Sequence, residues 1–121
     1  MKYFTKKNSD IHLKGWGYEK WIVNIDLYCG KLLKFEKGKQ CSWHYHKIKT
    51  ETFYVHSGKI KVYYSESDNF PDSKFVELNS GEKFHIPIGM RHRILALEES
   101  EIYEFSTQHF ESDSYRLIKG D

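Results

Sequence analysis

Short runs in which apolar and polar residues alternate, each ended by a turn signal, recur along nearly the whole chain. No other feature limits its fold as tightly. Alternation at a period of two marks a strand with one buried face. The runs fall at 19–25, 31–36, 41–46, 51–57, 59–65, 74–78, 83–87, 92–97, 101–106 and 114–119. Gly30, Gly38, Gly58, Asn69 to Pro71, Asn79 to Gly81 and Gly89 punctuate them. Between Lys20 and Ser106 no helical period is sustained. Ten short strands at this spacing predict an all-β chain, folded as a sandwich or a closed barrel, since either arrangement removes or protects sheet edges.

Aromatic residues make up 17% of the chain and prolines number only two, a balance that favours sheet. With 121 residues and 39% hydrophobic content, a single domain over 1–121 can hold a core without disulfide or metal staples. Cys29 and Cys41 are too few for a disulfide framework and are expected to be reduced. The start, "MKYFTKKNSDIH", lacks the apolar core of a signal peptide, and no window approaches a membrane span. Cytoplasm is the expected compartment. A formal charge of +2 gives no footprint for nucleic acid. The lysines that thicken between Lys31 and Lys49 alternate with apolar residues, as on a solvated strand face.

The stretch "SWHYHKIKTETFYVHSG", Ser42 to Gly58, carries the chemistry. Residues two apart on a strand face one side, so His44 and His46 point together, with Trp43 and Tyr45 on the other face. On the next run Glu51, Phe53 and Val55 share a face, while Tyr54 and His56 share the opposite one. His44, His46 and Glu51 can therefore converge across the loop "KIKT". Two imidazoles and a carboxylate with open positions suit a divalent metal. A fourth ligand is available from "PIGMRHRIL", where Pro87 and Gly89 shape a turn before His92. From spacing alone, an H-x-H pair is equally readable as structural or surface histidines. His12, His56, His85 and His109 have no partner at ligand spacing and are read as non-ligands.

At these positions the chain resembles the cupin superfamily. The first cupin motif, G-x5-H-x-H-x4-E-x6-G, is matched by Gly38, His44, His46, Glu51 and Gly58 over 38–58. The second, G-x5-P-x-G-x2-H-x3-N, is matched over 81–96 by Gly81, Pro87, Gly89 and His92, with Ala96 in place of the final Asn. The resemblance implies a six- to eight-stranded antiparallel jelly-roll β-barrel. It also implies one divalent transition metal per subunit (Fe, Mn, Zn or Ni) held by His44, His46, Glu51 and His92. The glycines stand where the chain must turn without Cβ strain. The Ala96 departure bears on any substrate contact made by that Asn. A weaker similarity, to phosphomannose-isomerase-type cupin domains, lies in the aromatic-Gly entry segment and in a "D-x-x-R" tail formed by Asp113 and Arg116. His44 stands where that family commonly has Gln.

An open-sided divalent site can polarise a carbonyl or hold vicinal hydroxyls. The leading expectation is an enzyme acting on a small-molecule substrate that is polar and sugar- or sugar-phosphate-like, by isomerase or epimerase chemistry. The alternatives are an iron-dependent dioxygenase using the same ligands, and a non-enzymatic binding module whose interior Phe53, Ile94 and their neighbours fill. Glu104 and Tyr103 are the candidate proton-transfer residues, and parity does not say which faces inward. Arg91, Arg93 and Lys47 flank the ligands and could receive an anion. Arg91 and Arg93 face away from His92, however, so solvent or a subunit interface is their expected place. Trp43, Tyr45 and Tyr54 on the non-ligand face, and "GWGYEKW" with Trp16, Tyr18 and Trp21, point to a homodimer in which the entry segment crosses over.

Overall fold

A computed structural model describes residues 6–121; the first five, part of the stretch read for a signal peptide, lie outside the described residues. Eleven strands form among the described residues. They are β1 (Asp10–Lys14), β2 (Gly17–Asn24), β3 (Cys29–Phe35), β4 (Trp43–Tyr45), β5 (Glu51–Ser57) and β6 (Lys59–Ser65), followed by β7 (Lys74–Asn79), β8 (Lys83–Ile86), β9 (Arg91–Ala96), β10 (Ser100–Ser106) and β11 (Tyr115–Ile118). Two 3₁₀ turns, Phe70–Asp72 and Glu111–Asp113, are the only helical pieces among the described residues. None of these is a helix long and apolar enough to cross a membrane.

All strand pairs are antiparallel, and they build two sheets, β1-β2-β3-β10-β5-β8 and β11-β4-β9-β6-β7. The fold is the expected all-β jelly roll. It exceeds the six to eight strands implied by the resemblance, because β1, β2 and β11 extend the edges. No ladder joins the two sheets among the described residues, so the barrel is closed by side-chain packing and not by hydrogen bonds. The strand missing from the sequence expectation is β1, whose "DIHLK" leaves Ile11 and Leu13 exposed and so hides its pairing partner.

Inward residues of both sheets form one core, with Phe35, Val55, Ile60, Val62 and Ile102 fully buried. At roughly 1.5–3 kcal/mol for each large apolar side chain buried, this layer drives the two sheets together. Gly58 makes the tight β5–β6 turn at φ +91, where an added Cβ would collide with Glu99 O. Gly30 is not a turn residue, since it lies inside β3 opposite a register shift in β2. Both cysteines are free.

Three expectations about outer faces change. Trp43 is fully buried by its own chain: the loop before β7 covers it, its Nε1–H donates to Asp68 O at 2.9 Å, and Phe70 packs edge-on. Arg93 is buried too, donating from Nε to Cys41 O and from Nη2 to Lys119 O, 2.9 Å each. It clasps the C-terminal segment of its own chain and is withdrawn from solvent. Trp16, placed in a crossing-over arm, stacks on Phe35 of the same chain at 4.0 Å. Parity had named the faces correctly; it carries no information about which loop covers them.

Candidate metal centre

His44 and His92 are cross-strand partners on β4 and β9, so their side chains rise from one sheet towards the other. Glu51 opens β5 on the facing sheet, and His46 follows directly after β4. The turn before β9 is tied to this strand end, since Gly89 N–H donates to His46 O at 2.8 Å. One ligand atom from each of His44, His46, Glu51 and His92 lies within 4.8 Å of the other three. The four residues foreseen as a group are therefore brought together between the sheets.

The ring tautomers follow from the backbone. Each of the three Nδ1 atoms lies 2.9 Å from a carbonyl: Ser42 O for His44, Asp113 O for His46 and Met90 O for His92. A carbonyl only accepts, so each Nδ1 carries a proton and each ring turns Nε2, the atom left to ligate, towards the centre. Burial pushes the His44 pKa well down, helped by His92 and His46. Burial likewise takes His46 to about 4 against the opposing pull of Glu51. Both rings are held in the form that ligates.

At the centre the donor atoms crowd one another. His92 Nε2 lies 2.8 Å from Glu51 Oε1, and His46 Nε2 lies 3.7 Å from the same oxygen. Neither Glu51 oxygen, nor His92 Nε2, has a hydrogen-bond partner among the described residues, although all are buried. Unsatisfied buried acceptors are costly. A shared proton would satisfy one of these contacts, whereas a divalent ion satisfies all four donors, and three imidazoles with one carboxylate form a donor set for divalent transition metals. The residues fit the group.

A cavity of about 690 Å³ opens beside these donors. Phe53 and Ile94 line it without filling it. Of the two proton-transfer candidates, Glu104 faces this cavity and is buried, whereas Tyr103 lies on the opposite face of β10 against the His56 ring. Lys49, which the sequence reading passed over as part of a solvated run, is the centre of the polar wall. Its Nζ stands 3.0 Å from Glu104 Oε2, 3.0 Å from His109 Nδ1 and 3.1 Å from Glu51 Oε2. The Glu51 contact is an ion pair without hydrogen-bond alignment. Burial alone would lower the Lys49 pKa, but the charges of Glu104 and Glu51 outweigh it and hold the ammonium. Burial opposes the charge of Glu51, yet the Lys49 ammonium beside it outweighs burial and holds its pKa well below the ordinary carboxylate value. Glu104 goes the other way: burial and the nearby Glu51 charge raise its pKa in spite of Lys49. His109 is no member of the four-donor group, but it lines the cavity, and burial beside Lys49 lowers it to about 3.

Asp113 of the "D-x-x-R" tail serves the loop between His46 and Glu51. Its carboxylate accepts the backbone N–H of Lys47 at 2.8 Å, of Ile48 at 3.1 Å and of Lys49 at 3.0 Å. Arg116 sits opposite His44 on β11 and lines the cavity mouth. The three cations expected near the site are engaged elsewhere. Arg91 pairs with Asp68 at 2.8 Å and stacks on Tyr45, Arg93 clasps the tail, and the exposed Lys47 lies over the Tyr115 ring. Ala96 is packed in the apolar core and does not reach the cavity. Lys49 stands two residues before Glu51, a same-face spacing that was available in the sequence. The contacts of Asp113 and His109 span sixty or more residues and left no local signal.

The family described as Cupin domain matches residues 31–105. No match was found among curated protein sequences. Similar solved structures include oxalate decarboxylase of Bacillus subtilis, at TM-score 0.79 and 20% identity, covering 90% of this chain and 30% of that one. The capsular polysaccharide assembling protein CapF of Staphylococcus aureus gives 0.76 and 20%, over 93% and 35%. KdgF of Halomonas sp. gives 0.72 and 19%, over 85% and 91%. The chain thus spans about a third of the first two and most of the third.

Proposed function

The chain belongs to the cupin domain family, and from that premise we propose that it is a metal-dependent enzyme that shifts a proton next to a carbonyl in a small sugar-like substrate, an isomerase- or epimerase-type reaction. The observation that carries this reading is the buried Lys49–Glu104 pair on the wall of the cavity that holds the four donors. His44, His46 and His92 would hold the ion through Nε2, and Glu51 through Oε1, since Oε2 faces Lys49. When bound, the ion supplies Lewis-acid polarisation of a substrate oxygen.

The remaining work falls to the chain's own side chains. Glu104, with a raised pKa, is a base matched to removing the proton from the carbon beside the polarised carbonyl. The electron pair of that C–H bond stays in the substrate. The proton rests on Glu104 and returns to the same carbon from the other face in an epimerisation, or to the former carbonyl carbon in an isomerisation while the adjacent hydroxyl proton passes to the former carbonyl oxygen, so no oxidant or reductant is consumed. Lys49 fixes the Glu104 carboxylate and, as a permanent cation, faces the negative charge that develops. Neutral His109 accepts from the Lys49 ammonium and keeps it aimed. Phe53, Leu33, Phe35 and Ile94 supply the apolar part of the cavity lining. The sugar class draws support from the neighbour CapF, named for capsular polysaccharide assembly.

The test is deuterium incorporation from D₂O into candidate aldoses, ketoses and their phosphates or acids, followed by NMR with the metal-loaded protein. Exchange at the carbon next to the carbonyl, lost by about 10²–10⁴ in Glu104→Gln, is the expected result. Oxygen consumption without exchange would assign the site to the iron-dependent dioxygenase class instead.

A further inference from the structure

The cavity has a second buried lysine, and its situation differs from that of Lys49. Lys31 lies in β3, directly opposite Trp21 on β2 and Glu104 on β10. Residues opposed across a ladder share a sheet face, so Trp21, Lys31 and Glu104 form a polar row on the cavity wall. Lys31 is 2% exposed. Its Nζ sits 4.5 Å above the Trp21 ring and 3.5 Å from Glu19 Oε1. That oxygen is already engaged by the Trp21 indole N–H at 2.9 Å. Among the described residues Lys31 Nζ makes no aligned hydrogen bond, whereas Lys49 Nζ has three partners within 3.1 Å.

An ammonium carries three donors, and buried donors require acceptors. One Lys31 donor is loosely taken by Glu19 and one side of the group is covered by the indole face, which leaves donor capacity directed into the cavity. Charge counting agrees. The lining cations are Lys14, Lys31, Lys49, Arg116 and Lys119, and the lining anions are Glu19, Glu51, Glu104, Glu111 and Asp121. They balance, so a divalent ion at the four-donor site makes the loaded cavity net positive.

The geometry points to Lys31 as the receptor for an oxyanion of the substrate, a carboxylate or a phosphate, held on the cavity wall beside Glu104. This rests on the metal-dependent reading of the cavity and narrows its substrate class from polar to anionic. Lys31 is a specificity residue here: it holds the charged end while the carbonyl end meets the ion and Glu104.

Isothermal titration calorimetry of the metal-loaded protein with glucuronate, glucose 6-phosphate and uncharged glucose tests it. Wild type is expected to prefer one charged probe over glucose by at least about tenfold, the size of a charge-assisted hydrogen bond. Which charged probe wins assigns carboxylate or phosphate. Lys31→Met is expected to erase the preference while leaving glucose binding and metal content unchanged, and Lys31→Arg to restore most of it. No preference in wild type, or a preference that survives Lys31→Met, would overturn the assignment. Should Lys31→Met lose the native circular dichroism spectrum, ¹⁵N-lysine NMR of wild type replaces it. The Lys31 Nζ signal must then shift on binding the preferred probe, and an unmoved signal overturns the assignment. None of these measurements reads proton exchange, so failure of the lysine subsite and failure of the isomerase-type reading remain distinguishable.

Discussion

Replacing Asp113 by alanine removes the acceptor for three consecutive backbone N–H groups in the loop between His46 and Glu51. The Lys49 N–H is buried, and stranding it costs about 1–3 kcal/mol. The N–H groups of Lys47 and Ile48 lie in exposed residues and can turn to water, so each loses closer to about 1 kcal/mol net. The expected destabilisation is about 3–5 kcal/mol, the size of a disrupted buried network. A second consequence is chemical. The Asp113 carbonyl fixes the His46 ring, and the loop carries Lys49 and delivers Glu51, so metal affinity should fall about 10–100-fold. Urea denaturation of the metal-free protein reads the first effect, and competition against a zinc chelator reads the second. Asp113→Asn, which keeps one oxygen acceptor, should show less than half of each. An alanine variant within about 1 kcal/mol of wild type, with unchanged metal affinity, would refute the role given to the tail.

Gly58→Ala should cost about 2–4 kcal/mol in the same assay, because φ is +91 and the new Cβ would press on Glu99 O and Ser100 Cα; a neutral result would contradict the turn geometry. The metal-free protein should lose stability as pH drops from about 6.5 to about 4. In that window an unfolded histidine binds a proton that folded His46, titrating near 4 because of burial, refuses. The stability is full above 6.5, the loss from His46 is about 3 kcal/mol, and it levels off below 4. His44 acts in the same direction, and a flat profile across this window would count against the buried, neutral rings.

The strands were legible wherever one face alternates into the core, as in β5, where Glu51, Phe53 and Val55 are buried and Thr52 and Tyr54 are not. They were illegible in β1, where apolar Ile11 and Leu13 are exposed and polar His12 and Lys14 are the half-buried face. The four-residue group was legible because His44, His46 and Glu51 fall on strand-periodic positions and the glycine-framed turn before His92 is local. Lys31 and Lys49 were misread for a physical reason. A lysine on an alternating strand is ordinarily solvated, and only the tertiary partners Glu19, Glu51 and Glu104 make burial of these two tolerable. Likewise, Arg93 and Trp43 were assigned to the correct face, but the chain that covers them arrives from the segment before β7 and from the C-terminal tail.

The central claim is that three Nε2 atoms and one Glu51 oxygen together hold a divalent ion. Metal content of the native protein by mass spectrometry, beside His46→Ala and Glu51→Gln, tests it most directly. The account predicts one ion per chain in wild type and substoichiometric metal in both variants. Stoichiometric metal retained by both would contradict it.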